Sequence, residues 1–319
     1  MRAVLIVNPN ATSTTPAGRD LLAHALESRA QLTVVHTDHR GHAIEIARDA
    51  TAAHVDVIIV HGGDGTVNEV VNGVLGPPGS PPLPSAPAVG VVPGGSANVF
   101  ARSLGISPDP VEATNQLVDL LGLHHRDRGW RRIGLMSCGE RWGVFTAGMG
   151  VDGEVVAAVE AQREKGRNVT AARYIRTAVP LVLRSARREP TMTLQLPGRE
   201  PIGGVHFVFV SNSSPWTYAN NRPVWTNPTT TYETGIGVFA TTGMNVFANL
   251  RLARQMLAKR PRMEAKHLIR DDDLPWLHVT SNTPVATQID GDYVGPRRAM
   301  TFTAVPDALG VVAPPAETR

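Results

Sequence analysis

Four residues, Gly62-Gly63-Asp64-Gly65, stand where an apolar run, Val55–Val60, gives way to a helical pattern, Val67–Leu75. Glycines tolerate backbone angles that Cβ-bearing residues avoid, and they let a ligand approach the main chain. A helix starting directly after them presents unpaired N–H groups and a partial positive charge. Strand, glycine turn and helix start together make an anion cradle, whose usual occupant is phosphate. Thr66 is placed to cap the helix or to donate to a phosphate. Asp64 narrows the chemistry. A carboxylate among phosphate-binding amides repels a bare phosphate, and makes sense with a divalent cation, a transferring proton or another polar group between them. The bland alternative is an Asx turn within a generic glycine turn. No Gly-Lys-[Ser/Thr] follows, so this is not a Walker A loop. A second candidate lies late in the chain, at Ile289-Asp290-Gly291-Asp292. On a strand, Asp290 and Asp292 would share one face. One could then accept a proton from an attacking hydroxyl while the other organises water or metal. The alternative is a pair of turn carboxylates flanking Gly291.

These residues need a scaffold. A chain of 319 residues suggests two domains at roughly 150 residues each. Strand-like Ala3–Val7, Leu32–Val35, Val55–Val60 and Val89–Val92 alternate with helical Ala17–Ala30, Ala43–Ala53 and Val67–Leu75. Such alternation predicts an α/β fold with a doubly wound parallel sheet, whose ligands sit at the carboxyl ends of strands. The glycine cluster lies at such an end. From about Trp130 the pattern turns β-rich, with strands expected at Arg141–Thr146, Thr191–Leu196, His206–Ser211, Gly235–Thr241, Leu277–Thr280 and Ala299–Ala304. Helical stretches are expected at 153–188 and 245–260. Residues 76–88 hold six prolines and read as a stiff irregular loop. An α/β domain is therefore expected over 1–128 and a larger, β-rich domain over 129–304. The tail 305–319 is expected to return to the first domain, and the active site is expected in the interdomain cleft.

Several motifs then converge on one resemblance. Gly62-Gly63-Asp64-Gly65-Thr66-Val67-Asn68-Glu69-Val70-Val71-Asn72-Gly73 resembles the signature of the diacylglycerol kinase catalytic family, which includes bacterial lipid kinases and sphingosine kinases. Its first five residues are shared with NAD kinases; the extension from Asn68 leans to the lipid kinases. Val7-Asn8-Pro9-Asn10 is similar to the family's opening Asn-Pro segment. The run Pro93–Arg102 is similar to its second nucleotide loop, with Ser96 in place of threonine. Ile289–Asp292 resembles its late Asp-Gly-Glu, and Val305–Pro314 its closing strand. The resemblance implies a nucleotide-binding α/β domain followed by a β-sandwich, with ATP and lipid meeting between them. It implies ATP contacts from Asn8, Asn10, Thr37, Gly62, Gly63, Asp64, Gly65, Thr66, Val67, Asn68 and Ser96. It also implies a base at Asp292, and an active-site network of Asp64 with Asp127.

Two departures stand out. Asp292 is shorter than glutamate by one methylene, roughly 1.5 Å of reach, where a misplacement of about 1 Å can cost 10²-fold. Relatives often carry an acidic loop that holds a structural magnesium. Here that segment is Asn227–Gly235, and Thr234 occupies the expected aspartate's position. Magnesium favours carboxylate and water oxygens, so the accessory site is not expected, whereas Mg²⁺ carried with ATP is.

The remaining signals set limits. A formal charge of +3 does not indicate a nucleic-acid partner. Cys138 is alone, so an intrachain disulfide is excluded and a cytoplasmic, reducing setting fits. No stretch reaches the roughly 18–20 apolar residues of a membrane span. Gln162–Arg188 mixes eight basic residues with apolar ones, a pattern either of an ordinary surface helix or of peripheral contact with an anionic membrane face. Gly148–Gly153 matches GxGxxG without a surrounding βαβ unit, and Asp152-Gly153-Glu154 opens a helix. His36, His39 and His42 read as a solvated loop, and Asp271–Asp273 as a solvated acidic turn. Trp216, Tyr218 and Trp225 read either as a packed loop or as a lipid entrance. The reading is an ATP-dependent lipid kinase acting on diacylglycerol or a related amphiphile. A soluble-substrate kinase of the NAD-kinase type and a non-catalytic lipid-binding homologue are the alternatives.

Overall fold

The computed structural model describes residues 1–11, 16–80, 85–127, 129–164, 171–219, 222–258 and 263–316. The chain divides into two compact units: 1–135, 140–144 and 307–319 form the first, and 136–139 with 145–306 the second.

The first unit runs β1 (Arg2–Val7), α1 (Pro16–Glu27), β2 (Gln31–His36), α2 (His42–Ala52), β3 (Val57–Gly62), α3 (Asp64–Leu75), β4 (Ala88–Pro93), α4 (Val99–Ser103) and α5 (Pro110–Asp127). It continues into β5 (Arg131–Cys138) and β6 (Arg141–Gly143). Its sheet is parallel in the order β2-β1-β3-β4. Strands β3 and β4 are buried throughout, which is why they read as unbroken apolar runs. Leu5, Ile59, Leu22, Leu26, Leu117 and Leu121 belong to one core cluster, which joins α1 and α5 to one face of the sheet. On α3, a Cβ at Gly73 would lie 2.4 Å from the Ile44 carbonyl oxygen of α2, so only glycine permits that helix approach.

The second unit contains β7 (Thr146–Gly150), α6 (Val151–Glu164), α7 (Ala171–Ser185), β8 (Met192–Gln195), β9 (Ile202–Val205), β10 (Phe207–Ser211), β11 (Thr217–Ala219) and β12 (Arg222–Val224). After these come β13 (Ile236–Thr241), α8 (Val246–Met256), β14 (Leu268–Leu274), β15 (Trp276–Ile289) and β16 (Asp292–Val311). Antiparallel pairs link β14, β13, β10, β7, β15 and β16 in that order. Register shifts between Thr280 and Val285 break β15 into two arms, the first pairing with β8 and the second with β7. The last residues of β16 belong to the first unit, where Val311 pairs in parallel with Val89.

Mixed α/β architecture with a β-rich second unit is as expected, but several elements differ. Arg141–Thr146 is not one strand. Trp142 N is bonded to Asn72 Oδ1 (2.9 Å) while Thr146 N is bonded to Asp290 Oδ1 (2.9 Å), so the run changes partners and breaks. The 153–188 stretch contains two helices, with 165–170 outside the described residues. Asp271–Asp273 is not a turn but part of β14, because each carboxylate meets a donor there. Of the proline-rich loop, 81–84 lie outside the described residues and Ala88 already begins β4.

The Gly73 contact yields a stability prediction. Gly73→Ala should lower stability by about 1–3 kcal/mol, the range for overpacking, measured by chemical denaturation.

Candidate active site

Strand register gathers the first group. Val7 lies opposite both His36 and His61, and Gly62 opposite Pro93. The residues that follow, Asn8, Thr37, Gly63 and Gly94, therefore line the carboxyl edge of the parallel sheet. Main-chain bonds fasten that edge: Thr37 N to Val7 O (2.9 Å), Asn8 N to His61 O (3.0 Å) and Gly94 N to Gly62 O (2.9 Å). The chain leaves β1 for β2 on one side and then reaches β3 on the other. This is the switch point at which open α/β sheets bind ligands.

Gly63, in an extended conformation, is the N-cap of α3 and makes no side-chain cap bond. The expectation that Thr66 caps this helix is therefore corrected: Thr66 lies within the first turn. Its Oγ1 instead accepts from Asn8 Nδ2 (3.1 Å), and Asn8 Oδ1 accepts from Asn10 N (3.0 Å). The first main-chain bond returning to the cap is Val67 N to Gly63 O (3.2 Å). The amides of residues 64–66 precede it and have no intrahelical acceptor.

A second glycine loop packs against the first. A Cβ at Gly94 would sit 3.0 Å from Gly62 Cα, and one at Gly95 would sit 2.8 Å from Gly63 Cα. The two loops thus touch main chain to main chain. Asn98, at φ 49°, shapes the second: its Oδ1 accepts from Gly95 N (2.8 Å) and its Nδ2 donates to Gly95 O (2.7 Å). Ser96 is exposed at the tip.

Asp64 links the two loops. Its Oδ2 accepts from Val99 N (3.0 Å) and its Oδ1 from Phe100 N (3.1 Å), the opening amides of α4. Burial pushes its carboxyl pKa upward, and the amides of Val99, Phe100 and Asn98 oppose that shift. Val67 is buried. Asn68, Glu69 and Asn72 do not form an exposed face of α3. Asn68 is only 1% exposed, with Nδ2 bonded to Trp142 O (3.0 Å) and Oδ1 accepting from Arg141 Nη2 (2.5 Å). Glu69 accepts from Gly41 N (2.9 Å) and Ala43 N (3.3 Å). Both side chains serve packing because β6 and the α2 entry occupy the outer side of α3. Asp127 ends α5, and its side chain lies outside the described residues.

In the second unit, Ile289 pairs with Asp292 across a two-residue turn. Asp290 (φ 51°) and Gly291 (φ 81°) occupy it, the positive-φ pair of a type I′ hairpin. Asp290 and Asp292 therefore do not share a strand face. Asp290 Oδ1 accepts from Phe145 N (2.8 Å) and Thr146 N (2.9 Å), while Asp292 opens the returning strand, half-buried. Gln288 Oε1 holds Gly291 N (2.9 Å), and Gln288 Nε2 donates to Asp152 Oδ2 (2.7 Å).

Among the described residues, Asp152 is the one charged residue lining an apolar cavity of about 260 Å³ within this unit. Val155, Val182, Phe209, Phe239 and Leu252 are among its walls, and Trp216 and Thr226 also line it. Sequence reasoning missed Asp152 and Gln288 because 136 residues separate them. Burial raises the Asp152 carboxyl to about 6, against a smaller opposing pull from Gln288. Among the described residues no cluster of His, Cys, Asp and Glu is arranged to hold a metal ion. Consistent with that, His39 stacks on His42 at 4.8 Å, and His42 Nδ1 accepts from Asp38 N (3.0 Å).

Two measurements probe these arrangements. Asp64→Ala should cost about 1–2 kcal/mol of stability, as loss of a helix cap does, in urea unfolding. For Asp152, the folded state keeps its proton to about pH 6 while the unfolded chain releases it near 3.8. The folded state thus binds more protons across that window, so this group's contribution to stability falls as pH rises through it. Asp152→Asn should gain on wild type from pH 4 to pH 7 by at most about 3 kcal/mol, read from denaturation midpoints at each pH.

The family model of the diacylglycerol kinase catalytic domain matches residues 2–123. A diacylglycerol kinase of Bacillus subtilis strain 168 is 39% identical over 118 residues, covering 34% of this chain and 35% of the relative. A diacylglycerol kinase of Staphylococcus haemolyticus strain JCSC1435 is 37% identical over 83 residues, covering 26% and 23%. The chain thus spans about a third or less of the length of these curated relatives. Over nearly the whole length, the crystal structure of a diacylglycerol kinase from Bacillus anthracis strain Sterne superposes with a TM-score of 0.71 at 17% identity, covering 98% of this chain and 97% of that one. That likeness gives the fold of both units. The paired glycine loops both fall within residues 2–123, the segment that the diacylglycerol kinase catalytic domain model matches.

Proposed function

We propose that this protein is an ATP-dependent lipid kinase that phosphorylates a hydroxyl of diacylglycerol or a related amphiphile. The observation that carries the reading is the glycine cradle at the sheet's switch point, within the segment matched to the diacylglycerol kinase catalytic domain. The opening amides of α3 and the exposed Ser96 receive the polyphosphate, and Asn8, Asn10 and Thr37 bound the same edge. Mg²⁺ carried with the nucleotide would neutralise part of its charge. Asp64 acts through Val99 and Phe100, holding the second loop in place; its proposed network with Asp127 belongs to the same reading.

In the second unit, the apolar cavity suits acyl chains, and Asp292 serves as base. The acceptor oxygen forms a bond to the γ-phosphorus as the bond to the bridging oxygen breaks. ADP leaves, and the hydroxyl proton passes to the Asp292 carboxylate.

Peripheral contact with an anionic membrane fits α7. Leu181 and Val182 pack inward against α6, while Arg176, Val179, Leu183 and Arg184 are exposed, and α7 has no acidic residue. Among the described residues no helix is long and apolar enough to cross a membrane.

Incubation with γ-labelled ATP and a lipid panel, alongside NAD, tests the assignment. Label is expected in lipid; label in NAD alone, or lipid binding without transfer, overturns it. Asp292→Asn should lower kcat by about 10²-fold or more, the usual weight of a general base, with little change in KM for ATP.

A further inference from the structure

The resemblance implies an accessory magnesium ion in the loop 227–235, and the donor set there does not fit one. Asp272 of β14 faces this loop. Its Oδ1 accepts from Asn227 Nδ2 (2.8 Å), and its Oδ2 accepts from Thr229 Oγ1 (2.5 Å) and Thr229 N (3.4 Å). Arg270 Nη1 stands 3.5 Å from the same Oδ2. The neighbouring carboxylates are engaged as well. Asp271 Oδ2 is paired with Arg199 (2.6 Å), and Asp273 Oδ1 accepts from Gly235 N (2.6 Å). Five of the six oxygens of these three carboxylates thus already accept a hydrogen bond, and two guanidinium groups already supply positive charge beside them. The missing aspartate is accounted for too: Thr234 Oγ1 donates within the loop, to Thr231 O (3.0 Å).

We infer that in this chain a protein hydrogen-bond clamp, Asp272 received by Asn227, Thr229 and Arg270, fixes the loop without a divalent cation. The clamp continues inward. Thr230 Oγ1 donates to Asp272 O (2.8 Å), and Asn227 Nδ2 also reaches Val238 O (3.0 Å). Gly237 makes room for it, since a Cβ there would lie 2.4 Å from Thr230 Oγ1. Ser211 Oγ lies 3.1 Å from Thr226 Oγ1 and 3.3 Å from Asn227 Oδ1, so the clamp also sets the residue that lines the apolar cavity. The loop 227–235 is then held in place before any metal binds.

The test needs no nucleotide and no activity, so it stands whether or not the kinase reading holds. The melting temperature of the full chain is compared in excess EDTA and in millimolar MgCl₂, for wild type, Asp272→Asn and Thr229→Val. Wild type should melt within about 1 °C in both buffers, and Thr229→Val should melt lower by about 3–6 °C in both, the weight of one hydrogen bond to a charged acceptor. A rise of several degrees with Mg²⁺ in wild type overturns the inference, and so does an unchanged melting temperature in Thr229→Val. Thr229→Val keeps the carboxylate, so the comparison remains decisive if Asp272→Asn does not fold.

Discussion

The first unit depends on one close approach: Gly62 and Gly63 lie directly against Gly94 and Gly95, main chain to main chain. Side chains at these positions would force the loops apart and remove the shared edge on which the helix amides gather. Glycine supplies the proximity but nothing to hold it, because it has no side-chain contacts and carries the largest backbone entropy. Asp64 supplies the hold. Its carboxylate belongs to the first loop, and the amides it receives open the helix after the second. A carboxylate at a helix start also meets the favourable end of the helix dipole, which offsets its desolvation. Asp64 therefore has a structural account that needs no bound phosphate.

The second unit uses carboxylates in the same manner. Asp290 receives Phe145 N and Thr146 N, Asp273 receives Gly235 N, and Asp272 receives the loop side chains. Each ties a turn or loop to a strand, so acidic residues that resemble metal ligands in sequence are acceptors for N–H and O–H groups in space. Asp152 differs. Its surroundings are apolar, and its hydrogen-bond partner Gln288 also supports the hairpin that presents Asp292. A change at the cavity's polar end is thus two hydrogen bonds away from that hairpin.

The parts legible in sequence were those with local causes. Alternating apolar runs and helical patterns announce the parallel sheet, since fully buried strands must be apolar on both faces. The glycine cradle is readable because conformational permissiveness is a property of residue type. The Asp-Gly turn was also readable in principle: Asp290-Gly291 is a type I′ signature between β-prone runs, and reading it as continuous strand put Asp290 and Asp292 on one face. Other features were hidden because their causes are distant. Nothing within α3 reveals that Asn68 is buried, since Trp142 and Arg141 bury it from more than 70 residues away. Similarly, three consecutive aspartates look solvated until Arg199, Asn227 and Gly235 N are known to face them.

The charge pattern of the cradle carries a final consequence. Residues 62–68 and 93–98 contain no lysine or arginine. A polyphosphate seated there meets amide dipoles, hydroxyls and a helix terminus worth about half a unit charge, far less than the charge it brings. Phosphoryl transfer proceeds through a transition state whose charge must be neutralised and held in line. A Walker A loop contributes a lysine to that task, whereas these loops have none. On the proposed reading, the cation carried by the nucleotide must supply most of the neutralisation, while the protein supplies shape. That division accounts for how much of the sequence near the cradle is spent on main-chain proximity.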